Sequence, residues 1–147
     1  LPVSQRTNPE RSFTEEVRAL RLGEGEVFRG EGILAVTKAI LQSGVAYVGG
    51  YQGAPISHLM DVLADAQDLL GELGVRFEAN ANEAAAAAML AASVHYPIRG
   101  AVTFKGSVGV NVASDALANL ASSGVTCAPT LPSWVNLPDT VGNWPAV

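Results

Sequence analysis

The sequence predicts an α/β fold, a parallel sheet with flanking helices, and three observations predict it. Short apolar runs of strand character, Val45-Ala46-Tyr47-Val48, Val75-Arg76-Phe77-Glu78 and Gly100-Ala101-Val102-Thr103-Phe104, recur along the chain. Helix-period segments long enough to cross over a sheet separate them, which favours parallel pairing. Glycine or proline punctuates most of the junctions.

Taken in order, Ser12-Phe13-Thr14-Glu15-Glu16 reads as a helix start, with Ser12 capping and Glu15 three residues on as in a capping box. That helix is short and stops by Gly23. A second helix runs from about Gly32 to Ser43, with Ile33, Val36, Ile40 and Leu41 on one face and Gly44 ending it. The strand Val45 to Val48 then meets Gly49-Gly50, and Gly49 to Pro55 reads as a tight strand-to-helix turn. Pro55 is expected at the first helical position, where an amide hydrogen has no partner anyway. One long helix should come next, with Ile56, Leu59, Met60, Leu63, Ala66 and Leu70 inward and Asp61, Asp65 and Asp68 outward. After the second strand comes a helix from Glu83 to Val94. A last helix succeeds the third strand and shows Val110, Ala113, Leu117 and Leu120 on one face.

Length and charge bound what such a body can do. The chain has 147 residues, 48% of them hydrophobic, which suits one domain with a real core. A net charge of −5, with Lys38 and Lys105 as the only lysines, argues against nucleic acid or an anionic membrane surface. The single cysteine, Cys127, excludes a disulfide framework within the chain and any four-cysteine cluster site. No apolar run reaches bilayer-spanning length and Leu1 to Arg6 lacks a signal peptide's apolar centre, so the expected setting is cytoplasmic. Composition divides the chain into an extension over 1–11, a body over 12–124 and a proline-rich tail over 125–147. The tail holds both tryptophans, half of the prolines and the lone cysteine.

Ligands on parallel sheets sit beyond the carboxyl ends of the strands. Three candidate segments fall there: the loop Gly49 to Pro55, the corner Asn82-Glu83, and Lys105-Gly106-Ser107 opening the last helix. The loop's glycines either permit a sharp turn or bring bare backbone to a ligand near a helix N-terminus. It is neither a Walker loop nor a dinucleotide fingerprint. Glu83 is accounted for by the helix dipole, worth roughly 0.3–1 kcal/mol, or by a catalytic role. The helix behind it favours the second account: Ala84 to Ala88, continued by Ala91 and Ala92, leave a bare face on which another helix or chain can lie closely. Alanine's helix propensity is the plain alternative. Lys105 is either a solvated lysine or the contact of an anionic substrate, and Asn111 flanks the same glycine-rich turn. Asp115 reads as solvent-facing. His58 and His95 have no ligand spacing, so no metal-binding residues are assigned.

Together these segments resemble a known family. Gly50-Tyr51-Gln52-Gly53-Ala54-Pro55, then Glu78-Ala79-Asn80-Ala81-Asn82-Glu83, then Thr103-Phe104-Lys105 and Val108 to Asp115 are similar to the N-terminal part of the indolepyruvate ferredoxin oxidoreductases, which are thiamine diphosphate-dependent. The resemblance covers about Ser12 to Gly124 and implies a pyrimidine-binding domain. It implies that Glu83 hydrogen-bonds the ring nitrogen of the cofactor's aminopyrimidine, for which a carboxyl held out of solvent is needed. It also implies that Gly50, Tyr51, Gln52, Gly53 and Asn82 line the cofactor, and that Ala54, Pro55, Lys105 and Asn111 lie at the substrate. The implied cofactor is thiamine diphosphate with magnesium, shared with a diphosphate-binding domain or subunit that this sequence lacks. Iron–sulfur clusters and a ferredoxin partner belong to the full enzyme only.

Two departures qualify the resemblance. Gln52 and Ala54 replace the proline and threonine common in that loop, which leaves the 2-oxoacid open. The tail also departs, and a shift of reading frame near Val125 would account for the change. On this basis the chain is expected to be a fragment that supplies the activating glutamate for oxidative decarboxylation and to be inactive alone. An open sheet edge and the alanine face predict association into an oligomer. Two other readings stand beside it: a small α/β module binding a phosphorylated ligand, and a catalytically inactive piece that only associates with other subunits.

Overall fold

The computed structural model describes residues 12–93, 95–96 and 98–122. The extension over 1–11 and the tail over 125–147, with Cys127 and both tryptophans, lie outside the described residues. Strands β1 (Tyr47–Gly50), β2 (Arg76–Ala79) and β3 (Gly100–Thr103) form one parallel sheet in the order β2-β1-β3. The α/β class with a parallel, helix-flanked sheet is therefore as expected.

Alternation along the strands sorts the core into two faces. Val48 and Ala101 point to one side and pack with Ile40, Ile56, Leu59, Leu63 and Leu70, which come from α1 (Gly32–Gln42), α2 (Ser57–Asp65), α3 (Gln67–Leu73) and the residue preceding α2. Tyr47 and Val102 point to the other side and pack with Ala86 and Leu90 of α4 (Glu83–Ser93) and with Leu120 of α6 (Ser114–Ser122). With both faces covered, all four residues of β1 and of β3 are buried. A third cluster, Phe13, Leu20, Leu34, Val62 and Ala66, seals the outer side of α1 and α2 beneath the N-terminal segment. No helix among the described residues is long and apolar enough to cross a membrane.

Several local expectations are corrected. Ser12 forms no capping box: its hydroxyl donates to Asp65 Oδ2 at 3.3 Å, and the Phe13 amide donates to the same oxygen at 2.5 Å. The first helix is a short 3-10 helix, Glu16–Arg21, rather than an α-helix. Its end is held by Lys38, whose ammonium donates to the carbonyls of Leu20 and Leu22 at 2.9 and 2.5 Å. The first strand starts two residues late and takes Gly49 and Gly50 into the sheet. The long helix expected after the glycine turn divides at Ala66 into α2 and α3, and the last helix divides at Ala113 into α5 (Gly106–Val112) and α6. Pro55 precedes α2, after a cis peptide bond from Ala54, and the helix begins at Ser57. Asp61, expected in water, is 1% exposed, because Leu59, Met60, Val62 and Leu63 on both sides of it are buried too.

Chain path sets the position of a crevice. The connection after β1 runs through α2 and α3 on one face, whereas those after β2 and β3 run into α4 and α5 on the other. On open parallel sheets ligands sit where connections diverge in this way, here at the carboxyl end of the central strand. That end is also where side chains are excluded. A Cβ on Gly50 would strike the Thr103 carbonyl and lie 2.7 Å from Thr103 Cγ2 and 2.9 Å from Met60 Sδ. Gly50→Ala should therefore destabilise the fold toward the upper end of about 1–3 kcal/mol. Gly71→Ala, in α3 with open space around its Cβ, should instead stabilise by about 0.4–1 kcal/mol. Urea denaturation of both variants checks the contrast; equal effects would contradict it.

Candidate functional site at the carboxyl ends of the strands

The loop leaving β1 is tied at each of its ends. The Gly50 amide donates to Asn80 Oδ1 at 3.1 Å and the Tyr51 amide to the Thr103 carbonyl at 2.9 Å. At the far end, the amides of Ile56 and Ser57 both donate to the Gly53 carbonyl, at 2.8 and 3.1 Å. In the middle, Gln52 Nε2 donates to Asp61 Oδ1 at 3.2 Å. Gly53 lies under Lys105, whose Cβ would sit 3.2 Å from an added Cβ. Tyr51, Gln52, Ala54 and Pro55 are exposed, so the loop lies open to solvent although its backbone is pinned and the Gln52 amide reaches inward to Asp61. Gly49 and Gly50 are buried, and packing alone accounts for both.

At the end of β2, two asparagines hold the corner. Asn80 accepts from Gly50 and donates its own amide to the Gly50 carbonyl at 2.7 Å, locking β2 to β1. Asn82 Oδ1 accepts the Ala85 amide at 2.8 Å, the N-cap bond of α4. Glu83 is thus the first residue of α4, where unpaired amides favour an anion. It is 7% exposed. Among the described residues its carboxylate has no hydrogen-bond or ion-pair partner. The residues described contain no cluster of three His, Cys, Asp or Glu side chains able to hold a metal.

One turn of α5 joins these two parts. A Cβ on Gly109 would lie 3.0 Å from Glu83 Cγ and 2.5 Å from Phe104 Cδ2, so α5 lays bare backbone on the glutamate's stem. The Gly109 amide donates to the Lys105 carbonyl at 2.7 Å. Lys105 on Gly53 and Gly109 on Glu83 are therefore the two ends of a single turn. Lys105 is half-buried and, unlike Lys38, has no polar partner among the described residues. Asn111 is exposed and sits about 200° around α5 from Gly109, away from Glu83.

Four contributors were not expected from the sequence: Asn80, Asp61, Gly109 and Tyr47. Asp61 did leave a signal, as the one charge inside the apolar run Leu59 to Leu63. Gly109 left a weaker one, a second glycine one turn after the helix start. Tyr47 lies over Gly49 and reaches toward Asn80, its hydroxyl donating to Oδ1 over a long 3.5 Å. Burial pushes its phenol above the ordinary value of 10.0, and the Asn80 bond opposes this only in part.

The fold favours the neutral Tyr47 phenol, so its contribution to stability is complete below pH 10.0 and is lost as pH rises through the higher folded value. Subtracting the phenolate absorbance titration of Tyr47→Phe from that of the parent should give a midpoint above 10.0; one at or below it would show the ring to be open to water. Asn82→Ala should cost about 1 kcal/mol and Asn82→Ser far less, as for a helix cap. Thermal denaturation separates that pattern from a residue with no role in folding.

No protein-family model matches the chain, and no solved structure matches it significantly. Over 91 residues it is 35% identical to the indolepyruvate oxidoreductase subunit IorA of Methanothermobacter marburgensis, and equally to that of Methanothermobacter thermautotrophicus. The matched stretch is 62% of this chain and 14% of each relative. The similarity is thus to part of an oxidoreductase subunit, and the chain spans a small fraction of the curated relatives it matches.

Proposed function

We propose that this chain is the pyrimidine-binding portion of a thiamine diphosphate-dependent 2-oxoacid oxidoreductase of the indolepyruvate type, with Glu83 as its activating carboxyl group. The observation that carries the proposal is the placement of Glu83. Glu83 is 7% exposed at a helix start, under the backbone of Gly109 and at the carboxyl end of a parallel sheet, with no partner for its carboxylate among the described residues. The similarity to the indolepyruvate oxidoreductase subunits supports the substrate class.

The cofactor fits the described residues in part. An aminopyrimidine offers a ring nitrogen and an amino group, and Glu83 supplies the carboxyl that a ring nitrogen needs. The diphosphate and magnesium end has no counterpart among the described residues, which hold no acidic or histidine cluster. A second domain or subunit would hold that end. When bound, thiamine diphosphate supplies the carbon that adds to the keto group of a 2-oxoacid and keeps the electrons left when carbon dioxide departs.

With the cofactor bound, Glu83 would hold a proton between its carboxyl oxygen and the pyrimidine ring nitrogen, and Gly109, packed on its stem, would limit the access of water. Tyr51, Gln52 and Gly53 border the ring, and Asn82 fixes the helix start that aims Glu83. Lys105, which has no polar partner among the described residues, would meet the substrate's carboxylate, with Ala54 and Pro55 on the neighbouring loop. Asn111 serves on the outer side of α5. Iron–sulfur clusters and ferredoxin act in the complete enzyme. The phosphorylated-ligand reading is less well supported, because the amides of Gly50, Tyr51, Ile56 and Ser57 are already spent within the protein.

Titration calorimetry with thiamine diphosphate and magnesium tests the proposal. The chain alone should bind neither measurably, and binding should appear once a subunit carrying the diphosphate-binding domain is added. In that assembly Glu83→Ala should lower turnover by at least about 100-fold, the usual loss for a proton-transfer group. Near-normal turnover would remove the assigned role.

A further inference from the structure

Asp61 is a carboxylate that the proposed chemistry does not use, yet it is 1% exposed in the middle of α2. Burying a carboxylate is costly unless hydrogen bonds compensate it, and a position between Met60 and Val62 would suit an apolar residue. What it does hold is Gln52, whose amide nitrogen donates to Oδ1 at 3.2 Å from an exposed loop. Because a carboxylate only accepts, it fixes which end of the Gln52 amide faces inward. The Oε1 end is left without a donor among the described residues. The tethered residue immediately precedes Gly53, which is packed under Lys105.

We propose that Asp61 is a positioning residue: its buried carboxylate tethers Gln52, which keeps the loop Tyr51 to Pro55 seated on Lys105 and presents the Gln52 carbonyl oxygen as a hydrogen-bond acceptor at the mouth of the site. A substrate or cofactor with an N–H or O–H donor at that edge is the chemistry this oxygen would recognise. The inference rests on the thiamine reading only for what the loop faces; the tether itself does not depend on it.

The first test needs no ligand. Amide hydrogen exchange on the full chain should show Ile56 and Ser57, both bonded to the Gly53 carbonyl, exchanging about 10-fold faster in Gln52→Ala. Tyr51 and Asn80, bonded to Thr103 and Gly50, should be unchanged and so report an intact fold. Gln52→Glu sets a second carboxylate against Asp61 and should loosen the loop further. Adding Asp61→Asn to it reverses donor and acceptor and should restore exchange to within about 2-fold of the parent. Unchanged exchange in Gln52→Ala, or no rescue in the double variant, overturns the tether.

The second test uses the assembly with the diphosphate-binding subunit, thiamine diphosphate and magnesium. There Gln52→Ala should raise KM for indolepyruvate about 10-fold, whereas Gln52→Glu combined with Asp61→Asn should hold KM within about 2-fold of the parent, as expected if the tether sets binding. An unmoved KM overturns the positioning role. Absence of turnover in the parent assembly would count against the thiamine reading, with the exchange result still deciding the tether.

Discussion

The seating of bare backbone against the end of the sheet is the constraint on which the rest of this structure depends. Gly50 is enclosed by Thr103 and Met60, Gly49 by Tyr47, Gly53 by Lys105, and Gly109 by Phe104 and Glu83. At Gly50 and Gly109 a methyl group would push apart two elements that the strand ends require to be close, at Gly53 it would press on Lys105, and at Gly49 it would meet the Tyr47 ring of the same strand. Interiors pack too densely to absorb such displacement without cost. The glycines therefore act less as flexible joints than as missing side chains. Their absence lets three loops from three strands converge, and convergence is what brings Glu83, Lys105 and the loop Tyr51 to Pro55 into one neighbourhood.

This explains which parts of the molecule were legible in the sequence. Element types came through because periodicity and punctuation act locally: Gly44 and Gly74 end their helices with positive φ, as their positions suggest. The parallel sheet followed from the helix-length segments between strands. Element boundaries were less legible where a tertiary contact decides them. Gly49 and Gly50 look like turn residues by propensity, yet the space left by Thr103 and Tyr47 makes them strand residues. Ser12 has the composition of a cap, but Asp65, distant in sequence, takes its hydroxyl. Asp61 defeats an amphipathic reading because α2 is buried nearly all round, so no polar face exists for it to join.

The alanine run of α4 bears on the same point. Its inward residues Ala86 and Ala87 are fully enclosed, and Leu90 carries the remaining contact with Tyr47 and Val102. Small side chains let α5 and α6 pack closely on this helix, which is how α5 can lower Gly109 onto Glu83. A leucine-rich helix would hold α5 farther away, and the carboxylate would then face water. Alanine content, which by propensity alone reads as a stable helix, is here a condition for burying the charge at the helix start.

Glu83 and Asp61 are both buried acidic residues, yet they are placed differently. Asp61 is held by a donor from an exposed loop, so its charge is spent on fixing that loop. Glu83 has the amides at the start of α4 behind it and Gly109 above it, and nothing among the described residues satisfies its oxygens from the front. A fold that needed only stability would have placed an exposed capping acid there, at less desolvation cost. The turn from Lys105 to Gly109 links the two carboxylates mechanically, since Lys105 rests on the loop that Asp61 tethers and Gly109 rests on Glu83.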